Sequence, residues 1–326
     1  MNRYSVILGN LGNTNDRFLS SGYKDQPPKE EMIRRAAGID GVAGIELVGT
    51  WDITPKNADH MGAVLRENGL SCVSIIPDLF SQKRWGKGSF SAKDPAIREQ
   101  AVAATREAAE TARKIGCPML NIWPGQDGYD YSLQADFRAE RRWFTEGIRT
   151  VAEEFPDIRF ALEYKPKEPR THSYLAGAAD TLLVVEDTGL ENVGVCIDVG
   201  HALYAYENVA ESIVILQERG EKLFHMHFND NYRYWDDDMI VGSVHLVEYI
   251  EMLYWLRETN YSGWYSMDQY PYREDGAGAI DASVQFVRSL ETLLDEKTIV
   301  QIRGLIDRGD PIEASHWLRR KLLPEP

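Results

Sequence analysis

Cysteine and long apolar runs are both scarce in this sequence of 326 residues. Its three cysteines, Cys72, Cys117 and Cys196, lie in or beside apolar segments. Their spacing suits neither a disulfide framework nor a zinc ribbon, so we expect buried free thiols. No segment approaches the ~20 apolar residues that a membrane-spanning helix needs. The chain also passes from MNRY straight into an apolar run without a cleavage site, which predicts a cytoplasmic protein with no membrane partner.

Positive charge is also in short supply. The chain carries 36 Lys and Arg residues against 51 Asp and Glu residues, for a net charge of −15. Such a surface repels a phosphate backbone, so we expect no nucleic-acid partner. No GxGxxG motif follows the first apolar run, which removes the main support for a dinucleotide-binding fold.

What the sequence does contain is a regular alternation of short β-rich runs with amphipathic segments. This alternation is typical of βα units around a parallel sheet. Several runs are almost continuously apolar, as expected of strands covered on both faces. The eight runs are 4–10, 42–48, 72–76, 119–123, 158–164, 193–198, 223–228 and 263–268. They predict an α/β fold, a (β/α)8 TIM barrel over residues 1–296.

Helix signals lie between these runs. Thr54 followed by Pro55 predicts a helix N-terminus. Leu133, Phe137 and Phe144 recur at helical spacing and predict one buried helix face.

Two segments do not fit the βα alternation. Residues 297–326 form a predicted helical extension carrying Trp317, which packs on its own barrel or contacts a neighbouring subunit. Residues 79–92 are long enough to act as a lid or to contact a neighbour. We expect a homodimer or homotetramer.

Acidic and imidazole side chains gather at the ends of the fifth to eighth runs. In a parallel barrel these ends meet at the mouth that carries the active site. Unpaired carboxylates at such close range repel one another unless a cation neutralises them. Mixed oxygen and imidazole donors suit Mn²⁺, Mg²⁺ or Co²⁺, with Mn²⁺ preferred. The predicted metal ligands are Glu163, Asp198, His201, His227, Asp236, Asp238 and Asp268.

The same strand ends resemble those of xylose isomerase and its relative rhamnose isomerase. The matching segments are LEYKPKEPR, CIDVGH, HMHFND, WDDDM with VGS, and SMDQYPYRED. Earlier in the chain, KGSFSAKDPAIR and IWPGQDGYD resemble the family's phenylalanine loop and its tryptophan–glycine turn. The resemblance spans about residues 51–275. It implies conversion of an aldose to a ketose by a metal-assisted hydride shift, with two divalent cations. No strong phosphate cradle appears among the strand-end loops, which favours a free monosaccharide as the substrate.

The resemblance also implies a role for each matching residue. Glu163, Asp198, His227 and Asp268 correspond to the ligands of a first cation. Asp198, as a bridge, and His201, Asp236 and Asp238 correspond to those of a second. The expected catalytic residues are Lys165, Glu163, Asp268 and His201, with Lys165 against the substrate carbonyl oxygen. The expected substrate contacts are Trp51, Asp52, Phe90, Trp123, Arg170 and Asn229.

The sequence departs from the family pattern at two places. Xylose isomerase has an aspartate where this chain has His227 and a glutamate where it has Asp198, so the ligand set is nearer to rhamnose isomerase. The family's histidine after the second strand is absent, since Gly49 stands there, and we expect His60 at the surface. The sugar is therefore not assigned by the resemblance.

Two other functions stay open at this point. One is a ketose 3-epimerase that uses Glu163 and Asp268 as an acid/base pair. The other is a non-catalytic sugar-binding barrel. The endonuclease members of the superfamily would need a basic groove, which the net charge of −15 argues against.

Overall fold

The computed structural model describes residues 3–16 and 18–323, and within them eight parallel strands close into a barrel. Each strand pairs with the next along the chain, and β8 pairs with β1. The strands are β1 (Arg3–Ile7), β2 (Val42–Val48), β3 (Ser71–Ile76), β4 (Met119–Ile122), β5 (Arg159–Glu163), β6 (Val193–Asp198), β7 (Leu223–Phe228) and β8 (Trp264–Met267). The predicted TIM barrel is confirmed. Residues 1, 2, 17 and 324–326, which include the end of the predicted extension, lie outside the described residues.

Helices cover the outside of the barrel. They are α1 (Lys29–Ala37), α2 (Ala58–Glu67), α3 (Pro95–Ile115), α4 (Phe137–Glu154), α5 (Ala178–Thr188), α6 (Val199–Tyr204), α7 (Val209–Glu218), α8 (Leu246–Glu258), α9 (Gly276–Leu293), α10 (Glu296–Arg308) and α11 (Pro311–Leu322). Short 3-10 helices span Leu8–Leu11 and Lys83–Trp85. A small antiparallel sheet of Gly128–Tyr129, Lys167–Glu168 and Thr171–Ser173 joins the loops that follow β4 and β5.

The two predicted helix boundaries were wrong. Asn57 accepts the backbone N–H of Thr54 at 2.7 Å, so the chain turns there and α2 begins only at Ala58. Leu133 lies outside α4, fully exposed and with φ at +66°, because Asp136 caps that helix. Phe144 is buried as predicted, but Phe137, the first residue of α4, is 54% exposed.

The C-terminal extension packs on its own barrel through one face. Ile299 of α10 and Trp317 of α11 are buried, and Trp317 donates its indole N–H to Gln301 at 2.9 Å. Val300 and Ile306 of α10 are exposed. The buried side chains of the extension accordingly need no neighbouring subunit.

Residues 79–92 are held by two buried carboxylates, Asp78 at the start of the segment and Asp127 near its end. Asp127 accepts the backbone N–H groups of Ser89 at 3.0 Å and Ser91 at 2.6 Å, together with their hydroxyls. Trp85 is fully buried in the same segment. The segment is therefore part of the packed structure.

The helices and the cysteines bear on two of the predictions. Across residues 3–16 and 18–323, no helix is both long enough and apolar enough to span a bilayer. The three cysteines are free thiols as predicted, and only Cys72 is partly accessible.

Candidate metal centre

Four strand ends bring a ligand group together at the mouth of the barrel. Glu163 and Asp198 are the last residues of β5 and β6, His227 is the penultimate residue of β7, and Asp268 follows β8 directly. His227 Nδ1 lies 3.0 Å from Asp268 Oδ2, 3.5 Å from Glu163 Oε2 and 3.9 Å from Asp198 Oδ2. One donor atom from each of the four lies within 4.8 Å of the others. We name these residues the first ligand group.

A second ligand group, Asp198, His201 and Asp236, adjoins the first. Asp198 caps α6 by accepting the backbone N–H of His201 at 2.8 Å, and this cap turns the imidazole toward the mouth. His201 Nε2 lies 3.2 Å from Asp236 Oδ2. Asp238 adjoins this group through Asn229, whose amide nitrogen lies 2.9 Å from Asp198 and 3.1 Å from Asp238.

The pKa values of the ligand carboxylates depart from their ordinary values, and they do so in opposite directions for Asp198 and Glu163. Burial, assisted by the charges of Asp236 and Asp268, raises the pKa of Asp198 to about 7 against the opposing effect of His201. Burial also raises the pKa of Glu163, but His227 and His201 together outweigh burial and leave that pKa below its ordinary value. The cluster thus holds more carboxylates than its own cationic side chains can neutralise.

Buried polar atoms with no partner point into the same space. Within residues 3–16 and 18–323, His201 Nδ1, His227 Nδ1 and Asp236 Oδ1 are buried and make no hydrogen bond. Leaving such atoms unpaired is unfavourable. Cys196 lies within ligand distance of Glu163 and His227, but the two ligand groups themselves offer oxygen and imidazole donors, which suit a hard or borderline divalent cation. The residues present therefore fit two divalent cations, one for each ligand group.

Lys165 extends beside the second ligand group. Its Nζ lies 2.8 Å from Asp236 Oδ2 and also contacts Glu168. Burial alone would lower the pKa of Lys165, but these two carboxylates outweigh burial and raise it above the ordinary value. The same Nζ lies 5.3 Å from the centroid of the Trp123 ring. Lys165 is thus a fixed ammonium group at the edge of the mouth.

The opposite side of the mouth is apolar. The Phe80 ring packs 4.8 Å from Trp123 and 5.5 Å from Trp51, measured between centroids. Phe80 also packs on three side chains from β1, β2 and β3. These are Ile7, Val48 and Ile76. The mouth therefore combines a charged wall from β5–β8 with an apolar wall from β1–β3.

The predicted substrate contacts are distributed unevenly around this mouth. Trp51 and Trp123 line the apolar wall. Phe90 is fully buried against Phe144 and Gly147 of α4, so its surroundings are those of a core residue. Phe80 occupies the place beside Trp123 that we expected for Phe90.

The other three predicted contacts are engaged elsewhere. Asp52 accepts the backbone N–H of Val48 at 2.9 Å and orders the turn after β2. Arg170 is largely exposed and pairs with Asp130 at 3.0 Å. Asn229 is fully buried between the carboxylates that it bridges.

Sequence reasoning missed two polar residues of the barrel interior. Asn121 of β4 donates to Glu163 Oε2 at 2.7 Å, and Glu46 of β2 contacts His227. Each stands in a strand that is otherwise apolar, GIELV for Glu46 and MLNIW for Asn121. A charged or amide residue in a strand covered on both faces is the signal that could have identified them.

The expected surface position of His60 is confirmed. It is exposed on α2 and lies 2.9 Å from Glu30. Gly49, which stands at the position of the family's missing histidine, lies directly after β2 and donates its N–H to Ile76 at 2.8 Å.

Known sequences resemble this chain over most of its length. The xylose isomerase of Thermus thermophilus is 28% identical over 292 residues, which cover 85% of this chain and 75% of that enzyme. The xylose isomerase of Thermus caldophilus is 27% identical over 66% of this chain and 57% of its own length. The match thus leaves a quarter to two fifths of these enzymes uncovered.

Known structures share the fold at lower identity. A D-tagatose 3-epimerase-like protein superposes with a TM-score of 0.70 at 21% identity, covering 90% of this chain and 99% of its own. D-psicose 3-epimerase from Clostridium cellulolyticum H10 gives a TM-score of 0.69 at 16% identity, covering 88% of this chain and 99% of its own.

The family model described as xylose isomerase-like TIM barrel matches residues 33–290, from α1 through β8 to α9. This stretch contains every member of both ligand groups as well as Lys165. The chain therefore belongs to the xylose isomerase-like TIM-barrel family.

Proposed function

We propose that this protein is a divalent-metal-dependent aldose–ketose isomerase that acts on a free monosaccharide. The observation that carries the proposal is the convergence of two ligand groups on one mouth, with the Lys165 ammonium 2.8 Å from Asp236 of the second group. The names of the sequence relatives, xylose isomerases, support an isomerase of this kind.

The residues that would hold the cations follow from the two groups. Glu163, Asp198, His227 and Asp268 would hold the first cation, and Asp198, His201 and Asp236 the second, with Asp238 beside it. When bound, divalent cations, of which we expect Mn²⁺, neutralise these carboxylates and stabilise negative charge on sugar oxygens.

The chain's own groups supply the remaining requirements of the reaction. Aldose–ketose isomerisation moves a hydride from C2 to C1 and a proton from O2 to O1, so no external oxidant or reductant is needed. Lys165 keeps its proton and can donate hydrogen bonds to a sugar oxygen on which negative charge develops. Trp123 and Phe80 form an apolar wall that keeps water from the reacting carbons.

A 3-epimerase is the second candidate because Glu163 and Asp268 flank the same nitrogen of His227, at 3.5 and 3.0 Å. Two facing carboxylates could serve as acid and base on either side of a sugar carbon. The second ligand group and Lys165 have no task in that reaction. We therefore favour the isomerase.

The test is a sugar screen with the metal-stripped protein after adding back Mn²⁺, Mg²⁺ or Co²⁺. Aldoses and ketoses are incubated in D2O and the products are followed by NMR. The isomerase predicts aldose-to-ketose conversion that requires the cation and incorporates little deuterium. Inversion at C3 with deuterium incorporation would establish the epimerase instead. Cation binding without turnover of any tetrose, pentose or hexose would indicate a sugar-binding barrel.

A further inference from the structure

One layer below the first ligand group, a glutamate stands in the centre of the barrel. Glu46 of β2 is fully buried. Its carboxylate accepts hydrogen bonds from the hydroxyls of Ser74 and Ser266 and from His225 Nε2 at 2.9 Å. The same carboxylate lies 3.3 Å from His227 Nε2. Four side chains from β3, β7 and β8 thus converge on one carboxylate.

Both oxygens of the Glu46 carboxylate act as acceptors in these contacts. The hydroxyl of Ser266 donates to Oε1 and the hydroxyl of Ser74 donates to Oε2. A carboxylate oxygen that already accepts a hydroxyl proton offers its remaining lone pair to the imidazoles. His225 and His227 must therefore each present an N–H at Nε2.

An N–H at Nε2 of His227 determines the protonation state of its other ring nitrogen, Nδ1. With Nε2 directed at Glu46, Nδ1 faces the carboxylates of Asp268 and Glu163 and, among the residues that the structure describes, has no hydrogen-bond partner. A neutral imidazole with its proton on Nε2 carries a lone pair on Nδ1, which is the form a cation binds.

We propose that Glu46 is a positioning residue of the metal centre, which holds His227 in the tautomer and orientation that offer Nδ1 to the cation of the first ligand group. The inference rests on the proposed function. Glu46, His225 and His227 also lie within ligand distance of one another. The two serine hydroxyls already occupy lone pairs of Glu46, which favours the positioning role.

The test compares two buried glutamates. Glu46→Gln keeps the size of the side chain but removes its charge and lets it donate. Glu140→Gln is the matched control, because Glu140 is also buried and hydrogen-bonded, to Tyr174 at 2.5 Å and the backbone of Asp136 at 2.9 Å, but adjoins neither ligand group. Metal-stripped proteins are titrated with Mn²⁺ alone by calorimetry, each also in an Asp238→Asn background that weakens the second site.

We expect Glu46→Gln to weaken Mn²⁺ binding at the first site about 10- to 100-fold, as the loss of a carboxylate behind a metal-bound histidine does. The second site and the Glu140→Gln protein should bind as the native protein does. An equal loss at both sites, or an unchanged first site, would overturn the proposal. Failure of the native protein to bind Mn²⁺ at all would reject the proposed function and this inference with it.

Histidine ¹⁵N spectra of the Mg²⁺-loaded protein give a readout that a loss of stability would not mimic. The native protein should show His227 protonated at Nε2 and unprotonated at Nδ1. A cation on Nδ1 keeps the proton on Nε2 in Glu46→Gln as well, but the Nε2–H resonance should move upfield, because a neutral amide oxygen accepts a weaker hydrogen bond than a carboxylate. A native His227 protonated at Nδ1 would contradict the proposal.

Discussion

Lys165 is the residue whose surroundings most constrain the chemistry. Its ammonium touches two carboxylates and the face of Trp123, so it is held in one place and remains charged. A group with a raised pKa serves poorly as a base and well as a donor to developing negative charge. The role of Lys165 as a hydrogen-bond donor thus differs from that of the two ligand groups, whose side chains would bind the cations.

Replacing Lys165 with methionine should lower kcat on the order of 10²–10³-fold, because an electrostatic donor of this kind is lost. Mn²⁺ affinity should not fall, since the change removes a positive charge from beside Asp236. The control is Lys167→Met, two residues away, whose ammonium lies 5.7 Å from the Tyr204 ring. Steady-state kinetics on the sugar found in the screen give the answer, and unchanged turnover would remove Lys165 from the mechanism.

Protonation of the ligand groups predicts how cation binding depends on pH. In the metal-free protein the pKa of Asp198 is about 7, and those of His201 and His227 are raised well above the ordinary value against the effect of burial. Cation binding needs the carboxylate ionised and the imidazoles neutral, so protons must leave. Mn²⁺ affinity should therefore rise from about pH 6 to about pH 8, roughly tenfold per pH unit for each proton released.

The stability of the metal-free protein should change in the opposite direction through Asp198. Its raised pKa means that the folded chain binds more protons than the unfolded chain between the ordinary pKa of 3.8 and about 7, so this group destabilises the fold as pH rises through that window. Urea unfolding of the metal-free protein at several pH values measures this change.

For the prediction on cation binding, calorimetric titration with Mn²⁺ in two buffers with different ionisation enthalpies measures the protons released. Binding heats that do not depend on the buffer would contradict the prediction.

At the scale of elements, the segment 79–92 connects the fold to the site. It carries Phe80, which packs on Trp123, and it is fixed by the bonds from Ser89 and Ser91 to the buried Asp127. If the segment becomes more mobile, Phe80 would therefore move away from Trp123 and the apolar wall of the mouth would be disturbed.

Asp127→Ala should destabilise the protein by about 2–3 kcal/mol, because it leaves buried N–H and hydroxyl donors without an acceptor. It should also loosen the backbone at Lys83, Arg84 and Lys87, which are already exposed, so that trypsin cleaves there faster, and it should raise KM for the sugar. The control is Asp130→Ala, which removes a pair with the exposed Arg170 and a hydrogen bond from Thr171 at 2.6 Å but leaves no fully buried donor, and should cost about 1 kcal/mol. Urea unfolding and limited proteolysis measure both effects, and an Asp127→Ala segment as resistant as the native one would refute the role of Asp127.

The elements that the sequence predicted well are those whose signal is local. The strands at 42–48, 193–198 and 223–228 agree residue for residue with the structure, because each is an apolar run with clear ends. The ligand groups were predictable because strand ends of a parallel barrel meet at one mouth.

The residues that the sequence left out depend on partners distant along the chain. Glu46 is 179 residues from His225, and only closure of the barrel brings them together. The prediction for Phe90 failed for a similar reason. Phe80 and Phe90 are only ten residues apart, and the sequence alone did not show which of them packs beside Trp123. Burial of Phe90 against Gly147 of α4, which sequence spacing does not reveal, separates them.

At the scale of the whole molecule, the C-terminal extension leaves apolar side chains at the surface. Val300, Ile306 and Ile312 are 63%, 48% and 67% exposed, while Ile299 and Trp317 of the same helices are buried. Apolar side chains at a surface favour contact between subunits when they form a patch. The predicted homodimer or homotetramer would cover them.

Ile306→Glu combined with Val300→Glu should convert the oligomer to monomers, since both charges would be buried against an apolar partner surface. The control is Leu183→Glu on α5, which replaces a side chain 54% exposed on another part of the molecule. Sedimentation velocity measures the mass, and circular dichroism checks that both proteins are folded. A native protein that sediments as a monomer would contradict the predicted oligomer. Dissociation by the Leu183→Glu control but not by the double variant would locate the contact on α5 instead of α10.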